Sequence, residues 1–251
     1  MQKIHRILLS SSLTKPVVRW AGRKLKKIAG AADASSDLSN VLKLGKPVAV
    51  LDIGSHLGET IARFREFTQL PIFGFEPSPE TFERLSRRFA GDSSISIHCI
   101  ALSNQNGMAA FNLNANEQTN SLLENDIGNE TLLSDYTRHL QATEVQTKRL
   151  DDWLDEYFPE GDILIKSDVQ GAEGMLIEGG ERAFASRVIG FYGEAQLGPM
   201  YKGQSTLWDL NKTLTTQFHF ALSNIYPVYR DPKGRALQTD ALWIHERFLG
   251  S

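Results

Sequence analysis

The chain has 251 residues, 41% hydrophobic and 23% charged, with a net charge of −3. That balance is ordinary for a globular protein and gives no bulk charge reason for nucleic-acid binding. Cys99 is the only cysteine, which excludes a disulfide framework within the chain and a cysteine-built zinc site, and no apolar run approaches the roughly 18 residues of a membrane span.

The N-terminus departs from that average. Eight Lys or Arg residues precede Asp33 and no acid does. The net charge is −3 and these eight charges are all positive, so the remainder carries −11. Two readings of residues 1–30 stay open: a solvated arm or packed helix, and a basic amphipathic segment touching anionic lipid through Trp20, Leu25 and Ile28. Ile7-Leu8-Leu9 is too short for a signal-peptide core, so a cytoplasmic protein, at most peripheral to a membrane, is expected. Ala31–Ser39 is small and polar and reads as a linker. Residues 1–38 are therefore taken as arm and linker, and 39–251 as the folded domain, with one helical turn over Ser39–Leu44.

Val48–Leu51 is a short apolar strand ending at Asp52. The glycine turn Gly54-Ser-His-Leu-Gly58 follows, then a helix in which Ile61, Phe64 and Phe67 recur every third residue and which ends near Gln69. Ile72–Phe75 is a second strand, stopped by Glu76-Pro77. Ser78-Pro79-Glu80 predicts a helix start, with Ser78 as a cap worth about 1 kcal/mol. Ile95, Ile97 and Cys99 alternate with polar residues in a third strand running to Ala101-Leu102, with Cys99 as a buried inert thiol. The order β-α-β-α-β with short connections predicts a parallel sheet with right-handed crossovers.

Residues 103–147 break that rhythm. They are rich in Asn, with Phe111 and Leu113 alternating in a short exposed strand and a helix expected over Leu132–Leu140. The segment reads as an irregular insertion lying over the site, since long irregular segments in compact domains are often lids. Val145–Leu150 is an edge strand, and Asp151-Asp152 opens a helix through Tyr157. Asp162–Lys166 is the fourth core strand, Ala172–Ala185 is helical, and Val188–Tyr192 is the fifth strand, with Glu194 near its end lining an acceptor pocket. After a helix over Leu207–Thr216, Phe220–Val228 and Ala241–His245 form an antiparallel pair at one edge.

Strand, glycine turn and helix make a nucleotide site, because free N–H groups at a helix start attract negative charge and glycine lets a ligand approach the backbone. A dinucleotide fingerprint needs glycine at positions one, three and six. Counted from Gly54 those positions hold Gly54, His56 and Glu59, so the pattern fails twice. The phosphate-binding loop, a Gly-Lys-Ser or Gly-Lys-Thr, is also absent. An acid at the tip of the second strand, Glu76, can accept from both ribose hydroxyls. A cofactor without a pyrophosphate, such as S-adenosylmethionine, fits such a turn, and its cationic centres suit nearby acids.

Five blocks occur in order: Asp52-Ile-Gly-Ser-His-Leu-Gly58, Phe75-Glu-Pro77, Ala101-Leu-Ser103 with Gly107, Arg149-Leu-Asp-Asp152, and Lys166-Ser-Asp-Val-Gln-Gly-Ala-Glu173. Together they resemble the FkbM family of S-adenosylmethionine-dependent methyltransferases over roughly residues 48–195. The resemblance implies a class I methyltransferase, Rossmann-like α/β fold: a seven-stranded, mostly parallel sheet with helices on both faces and an antiparallel last strand. It also implies O-methylation of a sugar or polyketide-type hydroxyl by in-line displacement. The family often has Asn where this chain has His56, so cofactor binding is expected to follow the protonation of His56.

On this reading the cofactor lies against Asp52, Gly54, Ser55, His56, Gly58, Glu76, Pro77, Ala101, Leu102 and Asp168. Asp168 and Glu173 are the carboxylates expected to do chemistry. Three roles stay open for Asp168: holding the cofactor ammonium, binding a divalent metal, or taking the acceptor proton, because a hydroxyl needs a base or a metal to become a nucleophile. Glu173 has a second reading, as a cap of the helix that follows Gly171. Lys166 pairs with Asp168 or a nearby carbonyl. The acceptor is a small molecule or carbohydrate rather than nucleic acid, the domain without its arm being acidic. The alternatives are a cofactor-binding protein of this fold without catalysis, and an NAD-type oxidoreductase, which the glycine spacing disfavours.

Overall fold

The computed structural model describes residues 34–126, 138–158, 160–231 and 233–250. The basic segment 1–30 and most of the helix expected over Leu132–Leu140 lie outside them; within the described part, His139 and Leu140 are strand.

The first described element is a helix over 34–45, here α1. It corrects the linker reading from residue 34 onward. Ala34, Leu38 and Val41 are buried against the sheet, at the four-then-three spacing of one helical face. The small polar residues between them hid that face.

The α/β core then follows: β1 (Ala49–Ile53), α2 (Glu59–Phe64), β2 (Ile72–Phe75), α3 (Pro79–Phe89) and β3 (Ile95–His98). A small lobe comes next, with β4 (Ala101–Ser103), β5 (Gly107–Asn114) and β6 (His139–Arg149). The core resumes with α4 (Leu150–Tyr157), β7 (Ile163–Ser167), α5 (Glu173–Gly179), α6 (Glu181–Ser186) and β8 (Val188–Gln196). The chain closes with α7 (Leu207–Gln217), β9 (Phe220–Ile225), β10 (Tyr229–Arg230) and β11 (Ala236–His245).

The main sheet runs β3-β2-β1-β7-β8-β11, with β9 and β10 both on the far edge of β11. Strands β3, β2, β1, β7 and β8 are parallel neighbours, and β11 is antiparallel to β8, β9 and β10. Eight strands thus fill seven positions, because β9 pairs with Ala241–His245 and the two-residue β10 pairs farther along, with Ala236 and Gln238. This is the mostly parallel sheet with an antiparallel last strand that the blocks implied.

Both faces are covered. Leu51, Ile53, Ile163 and Ile165 pack under α4 to α7 through Trp153, Leu176, Phe184 and Leu210. Val50, Ile72 and Leu164 pack under α1 to α3 through Leu38, Ile61 and Leu85. Strands buried on both faces read as continuous apolar runs, which is why β1 and β7 were visible in the sequence.

Four expectations change. The third strand stops at His98, and Ala101-Leu102 belongs to the second sheet, where β4 pairs in parallel with β6. Alternation does not register a change of sheet. The segment 103–147 is not irregular in its described part: β5 and β6 form an antiparallel ladder, with Phe111 buried beside Ala101 and Val145 rather than exposed. Two of its asparagines tie it together locally, Asn114 donating to the Thr119 carbonyl at 2.5 Å and Asn125 donating to Asn114 at 2.9 Å. Ser78 makes no side-chain cap; its N–H donates instead to Glu76 Oε1 at 3.0 Å. Cys99 is half-buried, with Sγ 3.8 Å from the Pro77 carbonyl. No helix among the described residues is long and apolar enough to cross a membrane.

Candidate active site

A cavity of about 430 Å³ opens over the carboxyl ends of the parallel strands, within the size range of small-molecule sites and at the place where open α/β sheets bind ligands. Its floor is the turn after β1. Gly54 adopts φ +75°, and a Cβ there would lie 2.0 Å from the Asp168 carbonyl oxygen, so only glycine lets the β1 and β7 loops pass this closely. The N–H groups of Gly54 and Ser55 both donate to the Phe75 carbonyl at 3.0 Å. Ser55 Oγ donates to the Asp52 carbonyl at 2.6 Å and accepts from the Phe75 N–H at 3.1 Å. These bonds lash the turn to the end of β2.

Glu76 stands at that end, 7% exposed and facing the cavity. Its Oε2 accepts from the His56 N–H and its Oε1 from the Ser78 N–H, each at 3.0 Å. Burial pushes its carboxyl above the ordinary value, and the two backbone donors offset part of that. Each oxygen keeps lone-pair capacity for a second donor. Beside it, Pro77, Ile100, Ala101, Leu102, Phe111 and Leu122 form an apolar wall.

Three expected site residues lie elsewhere. Asp52 does not line the cavity. It is fully buried beneath the turn, with Lys166 Nζ 3.1 Å from its Oδ1. The reason is register: Asp52 and Lys166 are direct partners across β1 and β7. Lys166 Nζ also donates to the Gly54 carbonyl at 3.1 Å, so of the partners expected for it the backbone carbonyl holds. Burial would lower the Lys166 ammonium, but the Asp52 and Asp168 carboxylates outweigh it and raise it; burial also raises Asp52, and Lys166 offsets only part of that. Gly58 is also off the cavity. At φ +77° it packs against α3, where a Cβ would meet Phe89 at 2.4 Å and Leu85 at 2.6 Å.

Glu173 is the larger correction. It is fully buried, off the cavity, and its Oε1 accepts from the Val169 N–H at 3.0 Å. Its place is the start of α5, bracing the loop that carries Asp168. Burial pushes its carboxyl up to about 7, against the backbone donors and with the Asp168 charge adding to the rise. A raised folded value means stability present at low pH that is lost as pH rises through about 7,. Glu173→Gln keeps the acceptor oxygen and abolishes the charge, so its stability relative to wild type is expected to rise between about pH 5 and about pH 8.5, by on the order of 3 kcal/mol. Urea unfolding at the two pH values reads it; an unchanged difference would place the titration elsewhere.

Asp168 does line the cavity, at the end of β7, and its backbone N–H donates to Ile53 at 2.9 Å. Gln170 Nε2 donates to its Oδ1 at 2.6 Å and to Glu194 Oε1 at 3.0 Å. Glu194, from β8, also accepts from Gln196 at 3.0 Å and from Gln238. Past it, Tyr192, Tyr226, Tyr229 and Asp240 complete the far end. The wall therefore carries Glu59, Glu76, Glu117, Asp168, Glu194 and Asp240 against Arg63, His56 and an already paired Lys166, a balance that favours a ligand with cationic centres. Among the described residues no group of three or more His, Cys, Asp or Glu side chains is placed to hold a metal ion.

His56 sits at the mouth with φ +48°. Its Nε2 lies 3.2 Å from Glu117 Oε1 and its Nδ1 3.9 Å from Glu59 Oε2. Glu117, on a 3-10 turn over Glu117–Thr119 from the small lobe, also meets Arg84 at 3.1 Å. Burial would lower the imidazole, yet Glu59, Glu117 and Glu76 together raise it. The contact thus favours the imidazolium, is complete below about pH 6.5, and is lost as pH rises through the raised value. The stability gap between wild type and His56→Asn is expected to be wider near about pH 5.5 than near about pH 8.5. A gap independent of pH contradicts this.

Sequence reasoning missed Gln170, Tyr201, Gln238, Asp240 and Glu117. Gln170 stood inside a recognised block without a role. Gln238 and Asp240 reach the site because β11 pairs them with Gln196 and Glu194 of β8, a register no local pattern reveals.

Residues 52–226 match the methyltransferase FkbM domain family. The 2-O-methyltransferase NoeI of Sinorhizobium fredii (strain NBRC 101917 / NGR234) is 29% identical over 192 residues, covering 73% of this chain and 77% of NoeI. The methyltransferase sdnD of Sordaria araneosa is 30% identical over 155 residues, covering 52% of this chain and 59% of sdnD. Among solved structures, the 1,6-didemethyltoxoflavin-N1-methyltransferase of Burkholderia thailandensis superposes with a TM-score of 0.46 at 15% identity, covering 93% of this chain and 87% of that one.

Proposed function

The chain belongs to the FkbM methyltransferase family, and from that premise we propose that it is an S-adenosylmethionine-dependent O-methyltransferase acting on a hydroxyl of a sugar, glycan or secondary metabolite. The observation that carries this reading is the order of groups along one cavity. The strand order places Glu76, after β2, and the apolar wall at Ile100–Leu102 to one side of Gly54, after β1, and places Asp168, after β7, and Glu194, on β8, to the other.

These residues fit the cofactor. The apolar wall takes a flat base. Glu76, anchored through two backbone N–H groups, accepts from two ribose hydroxyls. Gly54 lets the chain lie against the backbone, and the surplus of carboxylates suits the sulfonium and ammonium charges. Bound there, S-adenosylmethionine supplies an electrophilic methyl group.

Beyond Gly54 the cavity belongs to the acceptor. Asp168 accepts the proton of the acceptor hydroxyl and so makes its oxygen nucleophilic. Glu194, which accepts from three glutamine side chains, stands beside it and accepts from a second hydroxyl of the acceptor,. The walls hold the acceptor in line and keep water from competing. The relative at 29% identity is named a 2-O-methyltransferase, which supports oxygen as the methylated atom.

The test is turnover on a panel of methyl glycosides with free secondary hydroxyls, following formation of S-adenosylhomocysteine. Transfer to a hydroxyl supports the reading. Binding of both adenosyl ligands without turnover of any glycoside or other alcohol would favour a binding protein without catalysis.

A further inference from the structure

Gln170 adopts φ +55°, a conformation that residues with side chains rarely take. Its surroundings hold it there. Ser121 Oγ, from the small lobe, donates to its carbonyl at 2.9 Å. The Ser205 N–H donates to the next carbonyl, of Gly171, at 3.1 Å. Tyr201, 2% exposed, donates its hydroxyl to Gln170 Oε1 at 2.7 Å.

The amide nitrogen has two hydrogens and meets two carboxylates, Asp168 at 2.6 Å and Glu194 at 3.0 Å. The reverse orientation of the amide would set its oxygen against both carboxylates. The two carboxylates select the observed one, and Tyr201, whose hydroxyl burial and the nearby Glu194, Asp168 and Glu173 charges hold protonated, donates to the amide oxygen that this orientation presents. A strained backbone persists where its surroundings over-determine it, and such strain collects at functional sites.

We propose that Gln170 is a positioning residue: its amide, held at its oxygen by Tyr201, sets Asp168 and Glu194 side by side at the acceptor end of the cavity. The inference rests on the methyltransferase reading above. Two carboxylates left alone repel one another and turn apart. A cation between them would quench the charge that the acceptor hydroxyl is to meet. A neutral donor with two hydrogens bonds to both at once and brings no charge between them,. Tyr201 OH also lies 3.2 Å from the Thr119 carbonyl, so the hydroxyl stands between the turn over Glu117–Thr119 and the Gln170 amide.

Gln170→Met keeps the length and removes both donors; Tyr201→Phe removes one hydroxyl and keeps the ring. The assay uses S-adenosylmethionine and the methyl glycoside that wild type methylates fastest, with calorimetry of S-adenosylhomocysteine binding alongside. The expected result is kcat lower by about 100-fold in Gln170→Met and about 10-fold in Tyr201→Phe, with acceptor KM and S-adenosylhomocysteine affinity within about threefold of wild type. Unchanged kcat in Tyr201→Phe or in a folded Gln170→Met overturns the proposal. So does loss of kcat in step with S-adenosylhomocysteine affinity, because that marks a merely structural role. Absence of any wild-type turnover strikes the methyltransferase reading itself, and this inference with it.

Discussion

Asp168→Asn is expected to lower kcat by about 10²- to 10⁴-fold while leaving acceptor KM and S-adenosylhomocysteine affinity within a few-fold of wild type. The substitution is nearly isosteric. An asparagine oxygen still accepts from Gln170, so the loop after β7 keeps its shape, and what disappears is the capacity to take a proton. A loss confined to kcat separates that role from holding the cofactor ammonium, which would weaken affinity instead. Glu173→Gln supplies the contrast. Both carboxylates come from the same block of sequence, but Glu173 is buried behind the loop and touches Val169 rather than the cavity. Its glutamine variant is expected to keep kcat and change only the pH dependence of stability. Equal losses of kcat in both variants would mean the loop, not Asp168, sets the rate.

Lys166→Met is expected to destabilise the fold by about 3–5 kcal/mol near neutral pH, the cost of removing one partner from a buried pair. The loss arises beneath the cavity. Asp52 is wholly buried, and Lys166 is both its ionic partner and the donor to the Gly54 carbonyl. Without the ammonium, Asp52 escapes by taking a proton, so the folded state binds more protons than the unfolded one and stability falls as pH rises. The defect is therefore expected to shrink between about pH 7.5 and about pH 5. Adding Asp52→Asn removes the stranded charge and is expected to recover part of the loss at neutral pH. Urea unfolding checks both statements. A loss under about 1 kcal/mol would show that the pair contributes little.

How far the sequence could be read follows from which features are local. The β1 strand, its glycine turn and the acid at the tip of β2 are short, contiguous patterns, and they placed Gly54, Ser55, His56, Glu76 and Pro77 on one cavity. Asp52 was misplaced because a strand end alternates between ligand and interior, and only pairing with Lys166 shows which way it faces. The α1 face at Ala34, Leu38 and Val41 was hidden by serine and aspartate between apolar positions. The change of sheet at Ala101 left the alternation intact. Gln170 needed two distant partners, Tyr201 and Glu194, and a left-handed backbone that nothing in Val-Gln-Gly announces. The acceptor end was least legible, since it draws on β8, on β11 and on the small lobe at once.

The central claim is that the cavity over β1, β2 and β7 is an adenosyl-cofactor site, with Glu76 on the ribose. Calorimetry of the whole protein with S-adenosylhomocysteine, repeated with Glu76→Ala and with NAD, tests it most directly. Saturable binding of one S-adenosylhomocysteine per chain is expected, with affinity about 10-fold or more weaker in Glu76→Ala and no comparable binding of NAD. No binding of S-adenosylhomocysteine or S-adenosylmethionine by the folded protein, or binding indifferent to Glu76→Ala, would contradict it.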